Sequence, residues 1–239
     1  MRFLKILRAA ALAAGMAGCG LPNPYYLTAP TVPTLAVTGS TVAFVSPGYN
    51  QPGSQTTFTG FEIYYKFLAI PPSGNDINLG GGGYPGPSIL QQNGYVPICL
   101  STDKPPLQRT APAIAVAFSD SLNSLSITLT LSTSGASSTN YNPSPPNPIP
   151  ELGRYVSYNV SLFTAKTFAD GSTYPSGANQ ANYQSTDTDV QSLFSGGSAT
   201  TSQAFVNLYV LAYGYEQGTT VVEYSTPVYM GYLSIAPFP

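Results

Sequence analysis

The sequence predicts an all-β protein, a β-sandwich with long loops, and three observations lead there. Only 8% of the 239 residues are charged, where about 25% is usual for a soluble domain. The chain instead carries 18 Tyr, 23 Gly and 23 Pro, and is rich in Ser, Thr and Val; such a composition favours sheet over helix. Apolar residues recur with period two in several windows, and no window shows a helical stripe longer than two turns.

The strands follow in order. Thr34 to Thr38 and Thr41 to Ser46 form a short pair split by Gly39-Ser40, read as a tight hairpin or as one strand changing sheets. In the window 61–67, Phe61, Ile63, Tyr65 and Phe67 are expected to face the core, with Glu62, Tyr64 and Lys66 facing water. Residues 113–118 alternate large with small and predict a strand packed closely on both faces. Leu125 to Leu131 is the cleanest case, every odd position apolar and every even one a hydroxyl. Val156, Tyr158, Val160 and Leu162 alternate with polar neighbours in the same way. Phe205 to Tyr213 is apolar on both sides, as a central strand should be, and Val228 to Ile235 is the last strand.

Between these windows lie insertions at about 70–94, 132–150 and 168–202, which hold much of the Pro and Gly. Loops of that length are functional or mobile in compact domains. The polar, Pro-rich stretch at 101–112 offers a break between two domains. Strand windows from both halves are needed to complete one set, so 34–239 is read as a single sandwich.

The amino end reads as a processing segment. Arg2, Lys5 and Arg8 form a basic start, followed by an uncharged run from Ala9 to Gly18 that is too short to span a bilayer needing roughly 20 helical residues. Met16-Ala17-Gly18-Cys19 resembles the lipobox of bacterial lipoproteins. That resemblance implies a signal peptide over 1–18, acylation of Cys19 as the new amino terminus, and a Pro-rich tether over 19–33. It also implies several acyl chains; each buried methylene contributes about 0.8 kcal/mol, so one chain binds marginally and several hold stably. Gly20 after the cysteine leans, by the same resemblance, towards the outer membrane or cell surface of the bacterial envelope. Losing the signal leaves five basic residues against ten acidic, a net charge of −5, which is the wrong sign for nucleic acid or anionic headgroups. The expected membrane partner is thus reached through the lipid alone.

Gly60-Phe61-Glu62-Ile63-Tyr64-Tyr65-Lys66 resembles the third strand of a fibronectin type III domain. Leu208 to Tyr213 resembles that fold's penultimate strand, Tyr224-Ser225-Thr226-Pro227-Val228 the approach to its final one, and Thr31-Val32-Pro33 its Pro-led start. The resemblance implies an Ig-like antiparallel β-sandwich with long loop insertions.

Little chemistry remains. With no His in the chain there is no Ser-His-Asp or Cys-His nucleophile system and no His-ligated metal, so no catalytic residue, cofactor or metal site is expected. Ten carboxylates permit a glycosidase pair, but nothing marks one. Asp187 and Asp189 would share a face if extended, well short of the six to eight oxygens of a calcium site. Gly80 to Gly83 lacks the Lys-Ser or Lys-Thr of a phosphate loop, and Asp170-Gly171-Ser172 reads as a turn. Cys99 lies among apolar neighbours and is expected to be buried and inert. Asn159-Val160-Ser161 matches a glycosylation sequon that a bacterial chain would not use. Tyrosine is left, as core packing where Trp is missing or as Tyr/Asn-rich loops binding a protein or glycan. The functional expectation is a non-catalytic, lipid-anchored surface binding or adhesion module. Its alternatives are a structural subunit of an envelope assembly and a carbohydrate-binding or carbohydrate-active protein.

Overall fold

The computed structural model of the chain describes residues 26–37, 41–100, 112–130, 139–141, 148–149, 152–154, 185 and 189–235. Cys19, the 156–162 window, most of the 132–150 and 168–202 insertions and the 101–111 break lie outside the described residues. The strands in chain order are β1 (Ala36–Val37), β2 (Thr41–Ser46), β3 (Thr56–Leu68), β4 (Val96–Leu100), β5 (Ile114–Ala115), β6 (Leu125–Thr130), β7 (Thr139–Tyr141), β8 (Pro148–Ile149), β9 (Leu152–Arg154), β10 (Phe194–Ser195), β11 (Ser198–Ala199), β12 (Ala204–Glu216), β13 (Val222–Tyr224) and β14 (Val228–Ile235). Among the described residues there are also two short helices, α1 (Ser88–Gln92) and α2 (Phe118–Ser121), and a few 3-10 turns.

One sheet runs β1-β14-β12-β3-β4-β9, with β13 also on β12 and β5 also on β3. A second runs β2-β6-β7-β8, and β10 and β11 form a small two-stranded ribbon of their own. Among the described residues pairing is antiparallel except at β1, which lies parallel to β14 through Ala36–Gly231 and Val37–Tyr232. The Gly39-Ser40 split therefore separates two sheets. β1 joins β14, whereas β2 pairs with β6 across the core.

The core lies between the sheets and draws on both halves of the chain. Val42, Phe44, Leu125, Ile127 and Leu129 meet Phe61, Ile63, Tyr65, Phe67, Val206, Leu208, Val210 and Leu233. Phe44 and Phe58 each stand edge-on to Phe61 at 4.9 Å. β3 and β12 are paired along nearly their whole length, from Leu68–Phe205 to Thr56–Glu216, with one irregularity at Gly60. Val190 and Leu193 also enter this core, and the Tyr65 hydroxyl donates to the Asp189 carboxylate at 2.9 Å.

Three expectations need correction. Glu62 and Tyr64 do not face water. Both are buried, because residues 70–95 fold back over the outer face of β3 and β12 as an added layer. Residues 113–118 are not one strand. Only Ile114–Ala115 pairs, after which the chain leaves β3 for the opposite sheet through the helical turn α2, and Phe118 is left exposed. Residues 26–33 do not hang as a free tether. Leu27 is buried in the core and Thr31 bridges Val45.

Candidate functional site

Two regions gather the side chains that the sequence singles out. The first is the outer face of β3 and β12. The chain from residue 74 to 95 begins in a 3-10 turn (Gly74–Asp76), and the main-chain carbonyl of Asp76 is the point that fixes it. That oxygen accepts from Asn207 Nδ2 at 2.8 Å and from the hydroxyls of Tyr95 and Tyr209 at 3.0 Å each. Asn207 Nδ2 also reaches the Tyr95 hydroxyl at 2.5 Å, and the Leu79 amide donates to the Tyr209 hydroxyl at 3.2 Å. The Lys66 ammonium closes the knot from the side, 3.3 Å from the Asp76 carboxylate and 5.5 Å from the Tyr95 ring centre. Desolvation of these groups is thus offset by hydrogen bonds, with one exception in the buried Asn207 Oδ1, which has no partner.

Around this knot the tyrosines pack on one another. Tyr95 stands perpendicular to Tyr209 at 5.3 Å, Tyr229 tilts against Tyr209 at 5.2 Å, and Tyr213 meets Tyr224 and Tyr215 at 5.3 and 5.5 Å. Tyr64, Leu90 and Leu211 fill the space beneath. Burial pushes the phenols of Tyr95, Tyr213 and Tyr229 well above the ordinary value, and that of Tyr209 up to about 12. They stay protonated in any physiological medium, so they act as hydrogen-bonding and packing groups rather than as bases or nucleophiles. Gly80, at the start of the four-glycine run, packs against the Pro227 carbonyl, and the Gly86 amide donates to the Ser225 carbonyl at 3.0 Å. Gly80 thus serves close approach to the turn between β13 and β14. Outside the layer Tyr84 is left 79% exposed.

The second region is the end of the sandwich where β2 turns into β3 and β12 into β13, called here the hairpin end. Its central loop, residues 47–55, is held by Asn50, which adopts a positive φ of 53°. Asn enters that region more readily than other L residues because its short amide bonds locally. Here Asn50 Oδ1 accepts from the Phe58 amide at 2.8 Å, and Nδ2 donates to the Phe58 carbonyl at 3.0 Å and to Ser121 Oγ at 2.6 Å. Tyr49 stacks on Phe58 at 4.1 Å, Gln51 donates to the Leu122 carbonyl, and the Gln217 amide donates to the Gln55 carbonyl. Asn50→Ala should therefore cost about 2–4 kcal/mol in urea unfolding, by orphaning the Phe58 backbone and straining φ. Asn50→Gly, which keeps the backbone relaxed, should recover part of that loss. Equal stability of Asn50→Ala and wild type would show that the loop does not depend on this residue.

Two shallow hollows flank the loop. One of about 240 Å³ is bordered by Tyr26, Thr28, Tyr49, Gln51 and Ser54, and one of about 390 Å³ by Pro52, Thr57, Phe118, Leu122 and Gln217. Neither has a carboxylate or a basic side chain in its lining.

Among the described residues no group of three or more metal-binding side chains comes together. Of the Asp187/Asp189 pair only Asp189 is described, bonded to Tyr65. Cys99 pairs with Gly153 within β4 and β9. Glu216 and Glu223 feel each other across the β12–β13 hairpin. Desolvation, and then Glu216, raise the Glu223 carboxyl, but both lie half-buried on the strand surface and line neither hollow. The Asp76 knot and the Asn50 anchor escape sequence reading, because each joins residues far apart in the chain; the lone Asn207 inside an apolar run was the one signal of a buried polar partner. No known protein family, characterised protein or solved structure matches the chain.

Proposed function

We propose that this chain is a lipid-anchored, non-catalytic module of the bacterial envelope, held at Cys19, which presents the exposed Tyr84, on a layer fixed by buried tyrosines, to a protein or glycan partner. The observation that carries the reading is the 74–95 layer. A loop long enough to be mobile is instead pinned by the Asp76 carbonyl to Asn207, Tyr95 and Tyr209, so that Tyr84 is offered from a preorganised surface. Aromatic side chains on a rigid support lose little entropy on binding.

The fold belongs to the same proposal, as an Ig-like sandwich of the fibronectin type III kind. In support, β2 and β6 share one sheet, where that fold puts its B and E strands, and β3, β12 and β14 share the other, where it puts C, F and G. The windows that resemble its third, penultimate and final strands fall on β3, β12 and the β13–β14 stretch.

Metabolic labelling with a fatty-acid analogue, followed by protease treatment of intact cells, tests the anchor. Wild type should carry label, Cys19→Ala should lose it and leave the membrane fraction, and protease should remove the domain from the cell surface. An unlabelled wild-type protein would end the lipoprotein reading.

A further inference from the structure

We propose that the hairpin end is a bilayer-docking surface, with Tyr26, Phe118 and Leu122 seated in the membrane interface when Cys19 is acylated. The inference rests on the lipid-anchor reading and adds an orientation to it.

The length of the leash sets that orientation. Tyr26 borders the smaller hollow at the hairpin end, and Leu27 is already in the core. Cys19 lies seven positions before Tyr26, and seven residues reach at most about 25 Å when fully extended. β3 runs from the hairpin end to the far end over 13 residues, roughly 43 Å at about 3.3 Å per residue. An acyl group on Cys19 thus cannot hold the far end against the bilayer while the hairpin end points away. Of the two ends, the hairpin end is the one the anchor holds within reach of the membrane.

What that end exposes suits an interface. Phe118 is 62% exposed, Tyr26 51% and Leu122 38%, spread around the 47–55 loop with Pro52 at its tip. The two-sided strand pattern expected at 113–118 would have buried Phe118; the α2 turn presents it instead. Tyrosine and apolar rings settle at the headgroup level, where one part of the ring is dry and the other wet. Both hollow linings lack charged groups, and Asp120, Glu216 and Glu223, all acidic, stand nearby among the described residues. With five basic against ten acidic residues after loss of 1–18, the contact is not expected to draw on anionic lipid and should survive high salt and zwitterionic membranes.

The chain contains no tryptophan, so one introduced indole reports alone. The full-length acylated protein is reconstituted into phosphatidylcholine vesicles, with or without bromine-substituted acyl chains, as Phe118→Trp, as Leu122→Trp, and as Ile70→Trp at the exposed far end of β3. Phe118→Trp and Leu122→Trp should show blue-shifted emission and strong quenching by the brominated lipid, equally at low and high salt; Ile70→Trp should show neither. If mass analysis finds the acyl chains in place but the hairpin-end reporters are quenched no more than Ile70→Trp, the docking proposal is overturned while the anchor stands, and the end is free for a soluble partner. If no acyl chain is found, the anchor and the docking surface fall together.

Discussion

Replacing Gly231 by alanine should cost the fold about 3 kcal/mol, one of the largest single-residue effects expected in this chain. Gly231 sits in β14 at φ +102°, opposite Leu208 on one side and Ala36 on the other, where the β12–β14 register shifts. A Cβ there would overlap the Ala36 backbone, so alanine must adopt a strained φ and also push β1 off the sheet. Gly53→Ala supplies the comparison. Gly53 also has a positive φ, +86°, but a Cβ would meet nothing within 4 Å. It should lose only the strain, about 1 kcal/mol. Urea midpoints at constant slope read both. Equal losses at the two positions would show that the β1–β14 contact contributes nothing.

Raising the pH above 10 should unfold the protein cooperatively. The phenols of Tyr49, Tyr95, Tyr213 and Tyr229 are raised by burial, and Tyr209 is raised to about 12. In the unfolded chain the same groups ionise near 10. Between those values the unfolded state binds fewer protons than the folded one, so stability is intact below pH 10 and falls as pH rises towards the folded values. For Tyr209 alone the loss is at most about 2 kcal/mol by pH 12, and several such groups together reach the 5–15 kcal/mol margin of most domains. The tyrosinate absorption band should then rise in one step together with loss of the far-ultraviolet dichroism. A smooth rise with unchanged dichroism through pH 12 would contradict the burial of these hydroxyls.

How much of this was legible in the sequence differs between the two faces of one strand. The inward row Phe61, Ile63, Tyr65 and Phe67 follows from period two, and the structure places it in the core. The outward row does not follow. Glu62 and Tyr64 look like solvent-facing residues, and what buries them is a Pro- and Gly-rich stretch with no periodicity of its own. β12 and β14 were readable because both are long and apolar, and their bounds differ little from the windows. The hairpin end was not, since its parts come from residues 26–28, 47–57, 118–122 and 217. Phe118 shows the limit most plainly. Alternation alone puts its ring inside, whereas the need to cross from β5 to β6 turns the backbone and leaves the ring in solvent.

The β3–β12 pairing also bears on how the molecule comes into being. Its partners are 137 to 160 positions apart in the chain, from Leu68–Phe205 to Thr56–Glu216. Closing a loop of that size costs about 4 kcal/mol in chain entropy before any contact forms. Until β12 (Ala204–Glu216) arrives, β3 lacks its longest partner, and that edge of the strand is open to any chain nearby. Completion of the larger sheet therefore waits on the carboxyl end of the chain, however early the β2–β6 pair and the β4 and β5 contacts of β3 can form.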